Sequence, residues 1–578
     1  MSVVWMPWGD DALRAAQSRG VPILLLLEAA WCRWCKQLDR IVLRDPRVEN
    51  LIQHSFVPVR VDKDRRPDLD GRYSKGGWPT LAYLDDQGNA LASDLYLDVP
   101  AFLQRLQLVS GYWNDNRESV RRRLAEAAEK ENTQTVPGEL SRSIVDWTVR
   151  HLLESADPMY GGWGKEHKFP HSEALDLVLM RWSETGDENL RTLILRTLRH
   201  VQQGEIHDRV EGGFYRYATR RDWSSPHHEK LLDSNAQRLR SFAQAHQALG
   251  EPGFADTARG VARWLESVLL DQETRAFRGS QDADPEYAHL ATLPERRAHR
   301  APATDATIFA NWNARCASAL FEASTVLETP RYQELALGAL NFVVENLLDP
   351  SVGVYHYWDG TYHLPGLLTD QAHVLVALLD AYQYHGDPRW LTHALNLAQT
   401  IQRILASPEG GFCDAQHDLL WRAAARRASR SIQDNALAAE AFLRLAHVAR
   451  QERWAQLATD TLKSFAGDYK RHGEFVASYA RSVDLLLHPP VHVTIVGDRS
   501  AKSTQALHAA ALAPYVASRI VQVIDPVQDA ELFERSGLVE PRGSSTNWNA
   551  RAFMERGRES FAETSDPARL VALMTRVE

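Results

Sequence analysis

YGGWGKEHKFP (Tyr160–Pro170), EGGFYRYATRRDW (Glu211–Trp223), RAFRGSQDADPEY (Arg275–Tyr287), VGVYHYWDG (Val352–Gly360) and EGGFCDAQHD (Glu409–Asp418) are versions of one turn. Each lies between two amphipathic segments. The breaks between units read SETGDENL (Ser183–Leu190), ALGEPGFADTA (Ala248–Ala258), VLETPRYQELA (Val326–Ala336) and YHGDPRWLTHA (Tyr384–Ala394). Successive turns are about 50–75 residues apart, a longer period than the usual solenoid repeats. A helical hairpin of that length cannot bury its apolar face alone. About six in series therefore predict a closed ring, with the Gly-Gly turns gathered at one mouth.

First helices are expected to begin near Ser141, Glu188, Gly253, Pro330, Pro388 and Glu452. Second helices are expected near His171, Leu231, Asp305, Gly366, Ser431 and Glu474. Between these points apolar residues recur at three and four, as in LDLVLMRW (Leu175–Trp182) and LAAEAFLRLAHV (Leu437–Val448). An (α/α)6 barrel is the economical closure.

The 578 residues suffice for two to four domains, and 44% hydrophobic with 24% charged residues is an ordinary globular balance. A net charge of −9 gives no case for nucleic acid or an anionic membrane. The stretch Arg117–Lys130 is mixed in sign and reads as a solvated helix face. No basic segment precedes an apolar one at the N-terminus, and Val21–Leu27 is too short to span a bilayer. Four cysteines exclude a disulfide scaffold, and two form a C-x-x-C. Cys316 and Cys413 read as buried apolar residues. These features predict a cytoplasmic protein.

Residues 1–112 read α/β. Helix Asp10–Gly20 precedes a buried strand in VPILLLLEAAWC. Helices Cys35–Asp45 and Pro46–Ser55, strand Phe56–Asp62, a polar loop, a hairpin with a two-residue turn in GGWPTLAYLDDQGNAL (Gly76–Leu91) and helix Val99–Ser110 follow. A C-x-x-C at a helix start after a strand, with Trp78-Pro79-Thr80 later, resembles thioredoxin. Cys32 would head the helix, where free N–H groups, the dipole and Arg33 favour its thiolate. Its thiol pKa should lie below the ordinary value of about 8.5. Cys35 would be the resolving thiol. The resemblance implies that Pro79 is a cis proline facing the dithiol. Thioredoxins carry a buried Asp on the preceding strand; the matching residue here is Leu26, and Glu28 lies near the strand end.

The resemblance widens along the chain. WMPWGDDALRAA (Trp5–Ala16), C-x-W-C, Val61–Tyr73, GGWPT, GGWGKEHKFP, GGFYRY, Trp223–Lys230, QDAD (Gln281–Asp284) and Trp312-Asn313 are similar to thioredoxin-domain proteins of the spermatogenesis-associated-protein-20 type. That family joins a thioredoxin-like domain to a six-hairpin helical barrel. Its Met-Leu-Tyr-Asp-Asn-Ala run appears here as Leu231–Ala236, with Ser234 at the Asp position. Its Asp-Asp-Lys appears as Asp305-Ala306-Thr307. The expected fold is multidomain: a thioredoxin-like domain (1–112), a helical linker (113–139), an all-α (α/α)6 barrel (140–487) and a small C-terminal α/β segment (488–578). In the last segment a strand, helix and strand (Val491–Asp498, Ala501–Ala517, Arg519–Asp525) lack a G-x-G-x-x-G, and helix Asp566–Val577 follows.

The barrel fold resembles six-hairpin glycosidases and N-acylglucosamine 2-epimerases, so a sugar-like small molecule is the expected ligand. Rings stack on apolar sugar faces and acid/base groups move protons. Acid/base candidates are His228, Glu229, Asp282, Asp370 and His373. An epimerase would use a histidine pair, His228 with His373. Ligand-binding candidates are Trp163, Lys168, Tyr215, Arg216, Trp223, His227 and Lys230, then Asp233, Asn235, Asp284, Asp305, Trp312, Asn313, Asp434 and Asn435. Asp233, Asp305, Asp370 and Asp434 equally suit helix capping. A metal site from His227, His228 and Asp282 has no H-x-x-x-H or H-E-x-x-H behind it, so no metal is expected, and no cofactor is implied. Two other readings stay open: a non-enzymatic redox-regulated scaffold, and a thiol–disulfide oxidoreductase meeting protein partners through Cys32 with the barrel binding its client.

Overall fold

The computed structural model describes residues 3–130, 135–416, 429–538, 550–557 and 559–575. His417 and Asp418, the end of the fifth quoted turn, lie outside the described residues. The described residues form two compact units. One holds those of Met1–Gln134, Asp282–Asp284 and Asp414–Ser429; the other holds those of Thr135–Gln281, Pro285–Cys413 and Arg430–Glu578.

In the first unit, strands β1 (Ile23–Glu28), β2 (Val57–Asp62), β3 (Thr80–Leu84) and β4 (Ala90–Asp94) lie in the order β2-β1-β3-β4. β1 runs parallel to β2 and antiparallel to β3. The apolar run in β1 is explained by burial on both faces. Ile23, Leu25 and Leu27 enter one core, while Leu24 and Leu26 enter the other. Helices α1 (Asp10–Arg19), α2 (Arg33–Gln37) and α3 (Pro46–Ser55) flank the sheet. Asp45 caps α3 by accepting the Arg47 N–H at 2.9 Å, with Pro46 at the first helical position. The polar stretch after β2 contains a helix, α4 (Pro67–Tyr73), anchored by buried Leu69 and Tyr73. The turn between β3 and β4 is five residues rather than two. Asp85 holds it by accepting the N–H groups of Gln87 and Asn89. α5 (Val99–Lys130) continues well past Ser110 because Trp113 and Val120 bury their side chains and the Trp113 indole donates to Gly20 O at 3.1 Å.

The second unit is a ring of six hairpins. The outer helices are α6 (Arg142–Ser155), α8 (Glu188–Gln203), α10 (Pro252–Trp264), α14 (Pro330–Asn346), α16 (Pro388–Leu405) and α18 (Glu452–Lys463). Their inner partners are α7 (Ser172–Thr185), α9 (Leu232–Leu249), α13 (Ala310–Val326), α15 (Leu368–His385), α17 (Ile432–Val448) and α19 (Ala477–Leu487). Two short helices, α11 (Pro285–His289) and α12 (Leu293–Ala298), interrupt the third connection. Neighbouring inner helices pack in series, and α19 closes the ring against α7. The outer helices α8, α16 and α18 are strongly one-faced, whereas most of α13 and α15 is buried.

One device fixes four of the hairpins. Asn235 Oδ1 accepts the Phe214 N–H at 2.6 Å, and its Nδ2 donates to Phe214 O at 3.0 Å and Leu231 O at 2.9 Å. Asn313 does the same with Phe277 and Phe309 O, Gln371 with Val354, and Asn435 with Phe412 and Ser431 O. Each amide therefore pins an incoming turn to the start of an inner helix, which puts these turns at one end of the ring. The turn glycines permit the close approach. Gly212 has φ +94°, and a Cβ there would meet Gly260 O at 2.2 Å. At Gly161, φ is +65° and a Cβ would lie 2.6 Å from the Thr197 backbone.

The C-terminal residues form a four-stranded sheet of Arg519–Ile524, Val491–Val496, Arg551–Arg556 and Glu559–Thr564, in that spatial order. The sequence showed only the first two, because the second pair carries alternating, weakly apolar residues. Gln383, on α15, accepts the Val521 N–H at 3.1 Å, tying the sheet to the barrel.

Asn313→Ala leaves the buried Phe277 N–H and carbonyl without this partner. It should destabilise the barrel by roughly 2–4 kcal/mol, read as a lowered midpoint of the barrel's thermal unfolding. An unchanged midpoint would remove the amide from its structural role.

Candidate functional site

Two places concentrate chemistry. The first is the dithiol. Cys32 is the N-cap of α2; its Sγ accepts the Cys35 N–H at 3.1 Å, and the two sulfurs are bonded. The Trp78–Pro79 peptide is cis, with Trp78 O 3.5 Å from Cys32 Sγ. Leu26 is buried in the apolar core. Glu28 is engaged by Arg60 through two bonds of 2.6 Å. The polar groups around the dithiol instead grip the tryptophans preceding Cys32 and Pro79. Trp31 donates to Asp64 at 2.7 Å, and Trp78 donates to Asp70 at 2.8 Å. Lys63 pairs with Asp64 at 2.5 Å and lies 4.6 Å from the Trp78 ring centroid. Trp34, between the cysteines, is 45% exposed and rests on Tyr96. Asp282 belongs to this first unit and pairs with Lys36 at 2.6 Å; Asp284 falls there too.

The residues of the Gly-Gly turns are mostly engaged with one another. Lys168 is buried and binds Asp157 at 2.9 Å and Gly161 O at 2.8 Å. Lys230 repeats this with Asp208 at 2.5 Å and Gly212 O at 2.8 Å, and Arg296 joins the same carboxylate at 2.5 Å. Trp163 and Trp223 are buried, donating to Leu152 O and Tyr160 O. Tyr215 is buried between Lys230 and His228. Arg216 lies 3.5 Å from Glu229, while His227 stacks on Tyr217 and lies 3.8 Å from Glu229. Trp312 packs on Phe309. Asp305 accepts from Thr307, and Asp370 accepts from His356 at 2.9 Å and from the Asn311 N–H at 3.3 Å. Ser431 accepts the Asp434 N–H. Asn235, Asn313 and Asn435 are the turn-pinning amides.

The second place is a cavity of about 180 Å³ inside the helical ring, volume for roughly six waters. Of the acid/base candidates only His373 lines it; His228 and Glu229 do not. Arg315 Nη2 contacts His373 Nε2 at 2.8 Å while its Nη1 holds Asp233 at 2.7 Å. Deeper in, charges alternate between helices. Arg240 meets Glu322 at 3.0 Å, Arg444 meets Asp380 at 2.7 Å and Arg481 meets Glu440 at 2.8 Å. Residues 515–520 of the C-terminal segment also line the cavity. Among the described residues no group of three or more His, Cys, Asp or Glu is arranged to hold a metal.

Asp176 differs from the other cavity acids. Its nearest cation is Arg481 at 3.8 Å, beyond hydrogen-bond reach, and among the described residues it makes no hydrogen bond. Burial raises its carboxyl to about 6, against the opposing charges of Arg240 on α9 and Arg481 on α19; Glu173 and Glu322 add to the rise. Burial, reinforced by Arg315, holds the His373 imidazole well below its ordinary pKa. The sequence carried a signal for this lining that the turn motifs obscured. Gln237, Arg240, Gln244 and Gln247 recur at three and four on α9, as do Arg315, Ser318 and Glu322 on α13. A polar stripe on an otherwise buried helix marks a wetted interior.

A thioredoxin-like dithiol domain followed by a six-hairpin helical barrel is the class of protein that these features define. Residues 1–131 match the DsbH-type thioredoxin family, described as "Protein of unknown function, DUF255". The chain is similar to spermatogenesis-associated protein 20 of Homo sapiens, 24% identical over 90% of this chain and 84% of the relative. It is also similar to the thiol:disulfide interchange protein DsbD of Yersinia pestis, 29% identical over 16% of each chain. Among solved structures, a sugar epimerase from a ruminal bacterium aligns with a TM-score of 0.49 at 12% identity, over 60% of this chain and 98% of that one. A GH76 α-mannanase from Bacteroides thetaiotaomicron aligns with a TM-score of 0.43 at 12% identity, over 60% and 94%.

The raised carboxyl of Asp176 has a pH signature. A native pKa above the unfolded value near 3.8 contributes stability that is full below that value and lost as pH rises through about 6. Asp176→Asn should therefore stabilise the barrel at about pH 7.5, by roughly 1–3 kcal/mol, with the gain vanishing near pH 4. Thermal unfolding across pH checks this; a variant less stable than wild type at neutral pH would show the charge to be compensated.

Proposed function

We propose that the first unit is a thiol–disulfide oxidoreductase acting on protein thiols, and that the barrel binds a small, neutral, sugar-like molecule. The observation carrying the first part is the Cys32–Cys35 pair at the start of α2 opposite the cis Trp78–Pro79 peptide. In the reduced protein the Cys32 thiolate attacks a partner disulfide. A Cys32–partner bond forms and one partner thiolate leaves. Cys35 then attacks Cys32 Sγ, releasing the second partner thiolate and closing the intramolecular disulfide. Two electrons pass from the dithiol to the partner. Helix α2 favours the attacking thiolate through its unpaired N–H groups and dipole. The relative named a thiol:disulfide interchange protein supports this chemistry.

For the barrel, the supporting observation is an internal cavity whose charges are largely paired and whose walls keep hydroxyl and carboxylate groups available. We place the protein in the cytoplasm from its sparse cysteines. Among the described residues no helix is long and apolar enough to cross a membrane.

With dithiothreitol as reductant, wild-type protein should reduce insulin disulfides at least about tenfold faster than dithiothreitol alone. Cys32→Ser should abolish the gain, and Cys35→Ser should trap a mixed disulfide. Alkylation of reduced Cys32 should titrate below about pH 8.5. A wild-type rate equal to the background sinks the oxidoreductase assignment.

A further inference from the structure

We infer that Asp176 is the ligand-recognising carboxylate of the barrel cavity, taking a hydroxyl group of a neutral polyhydroxylated molecule held between α7 and the facing helices α13 and α15. This rests on the reading of the barrel as a small-molecule binding module.

The distribution of partners inside the ring singles out this residue. Arg240, Arg315, Arg444 and Arg481 each hold a carboxylate other than Asp176 within 3.0 Å. Those pairs cross from helix to helix and fix the polar wall before any ligand arrives, which lowers the ordering cost of binding. Among the described residues Asp176 has no hydrogen-bonded cation: Arg481 stands 3.8 Å away, and Arg240 acts on it only through its charge. Among the described residues three cavity hydroxyls are also without a partner: Ser172 Oγ on the same helix, in a residue 4% exposed, Ser318 Oγ on α13, in a residue 7% exposed, and Ser478 Oγ on α19. A buried hydroxyl left unpaired is destabilising, and an unpaired carboxylate more so. His373, on α15, has its Nε2 occupied by Arg315. In the ring order, three steps in either direction separate α7 from α15, so Asp176 and His373 stand on opposite walls.

The unused groups select the ligand's chemistry. A carboxylate accepts hydrogen bonds, and a serine hydroxyl both donates and accepts. A molecule with several hydroxyls can donate to Asp176 and exchange bonds with Ser172 and Ser318. A cationic ligand would meet Arg240 and Arg481 beside Asp176. An anionic one would meet Asp176, with Glu173 and Glu322 near it. Among the described residues Tyr384 and Tyr515 are the tyrosine, tryptophan or phenylalanine lining, so recognition falls to hydrogen bonds rather than to stacking. Asp176 is also the group best poised to exchange a proton with the bound hydroxyl at neutral pH, because its carboxyl titrates near 6.

Isothermal titration calorimetry of the 578-residue chain tests this, with D-mannose as the neutral probe, D-glucuronate as the anion and D-glucosamine as the cation. Saturable D-mannose binding is expected, with both charged probes weaker by at least about tenfold. Asp176→Asn keeps the shape and should weaken D-mannose at least about tenfold, and Ser318→Ala should also weaken it. The enhanced thermal stability expected of Asp176→Asn at neutral pH certifies that it is folded. If D-mannose binds wild type and Asp176→Asn equally, the Asp176 assignment is overturned while the barrel reading stands. Tighter binding of a charged probe overturns the ligand class alone. If no probe binds, water alone satisfies these groups and both readings fall.

Discussion

The barrel depends on a side-chain amide that replaces backbone pairing where a chain must turn back inside a protein. A turn entering an inner helix brings a peptide N–H and C=O into a buried position where neither helix nor sheet can satisfy both. Asn235, Asn313, Gln371 and Asn435 supply one acceptor and one donor at the required separation, and all four are fully buried. An unpaired buried amide group costs as much as a typical destabilising mutation. In each of these four hairpins the turn is therefore locked to its own inner helix by a few polar atoms, and the Gly-Gly turns are the backbone's accommodation to that lock. The same constraint makes aromatic-rich turns into structural joints. Trp163, Trp223 and Phe412 fill space behind the turns rather than line the cavity.

Burying charge inside the ring raises a second problem. Isolated ions in an interior are costly, and pairs offset that cost only when closely bonded. The inner helices solve this around the cavity by placing Arg240, Arg315, Arg444 and Arg481 each opposite a carboxylate on an adjacent helix, as in Arg240–Glu322 and Arg444–Asp380. Such pairs contribute more to a defined cavity shape than to net stability. Against that background Asp176, Ser172, Ser318 and Ser478 stand out, since among the described residues their side-chain oxygens have no comparable partner.

The thioredoxin-like unit rearranges its polar residues in a related way. With Leu26 in the core, the middle of the strand behind the dithiol carries no carboxylate, and Glu28 at its end is taken up by Arg60. Asp64, Asp70 and Lys63 instead hold Trp31 and Trp78, the residues immediately before Cys32 and Pro79. Charge near the dithiol thus orients its two flanking peptides. Lys36, on α2 itself, is paired with Asp282, far away in sequence.

Much of this architecture is legible in the sequence, because it follows from local rules. The apolar run of β1 and the capped start of α3 are written in consecutive residues, as are the position of Cys32 at a helix start and the hairpin boundaries. Expected inner-helix starts at His171, Leu231 and Ser431 fall one residue before α7, α9 and α17. The interior of the barrel was far less legible. Motif density drew attention to His228, Glu229 and Lys230, yet the fold engages Glu229 and Lys230 with neighbouring charges and leaves all three outside the cavity. Asp176, Arg240 and Glu322 carry no motif, only a spacing of three and four that also describes an ordinary amphipathic helix. The sequence by itself determined which segments are helices, where they turn and that the dithiol heads one of them, since these depend on neighbours along the chain. Only the tertiary structure decided which polar residues share the cavity, because closing the ring joins positions hundreds of residues apart and holds the cation nearest Asp176 at 3.8 Å, outside hydrogen-bond reach.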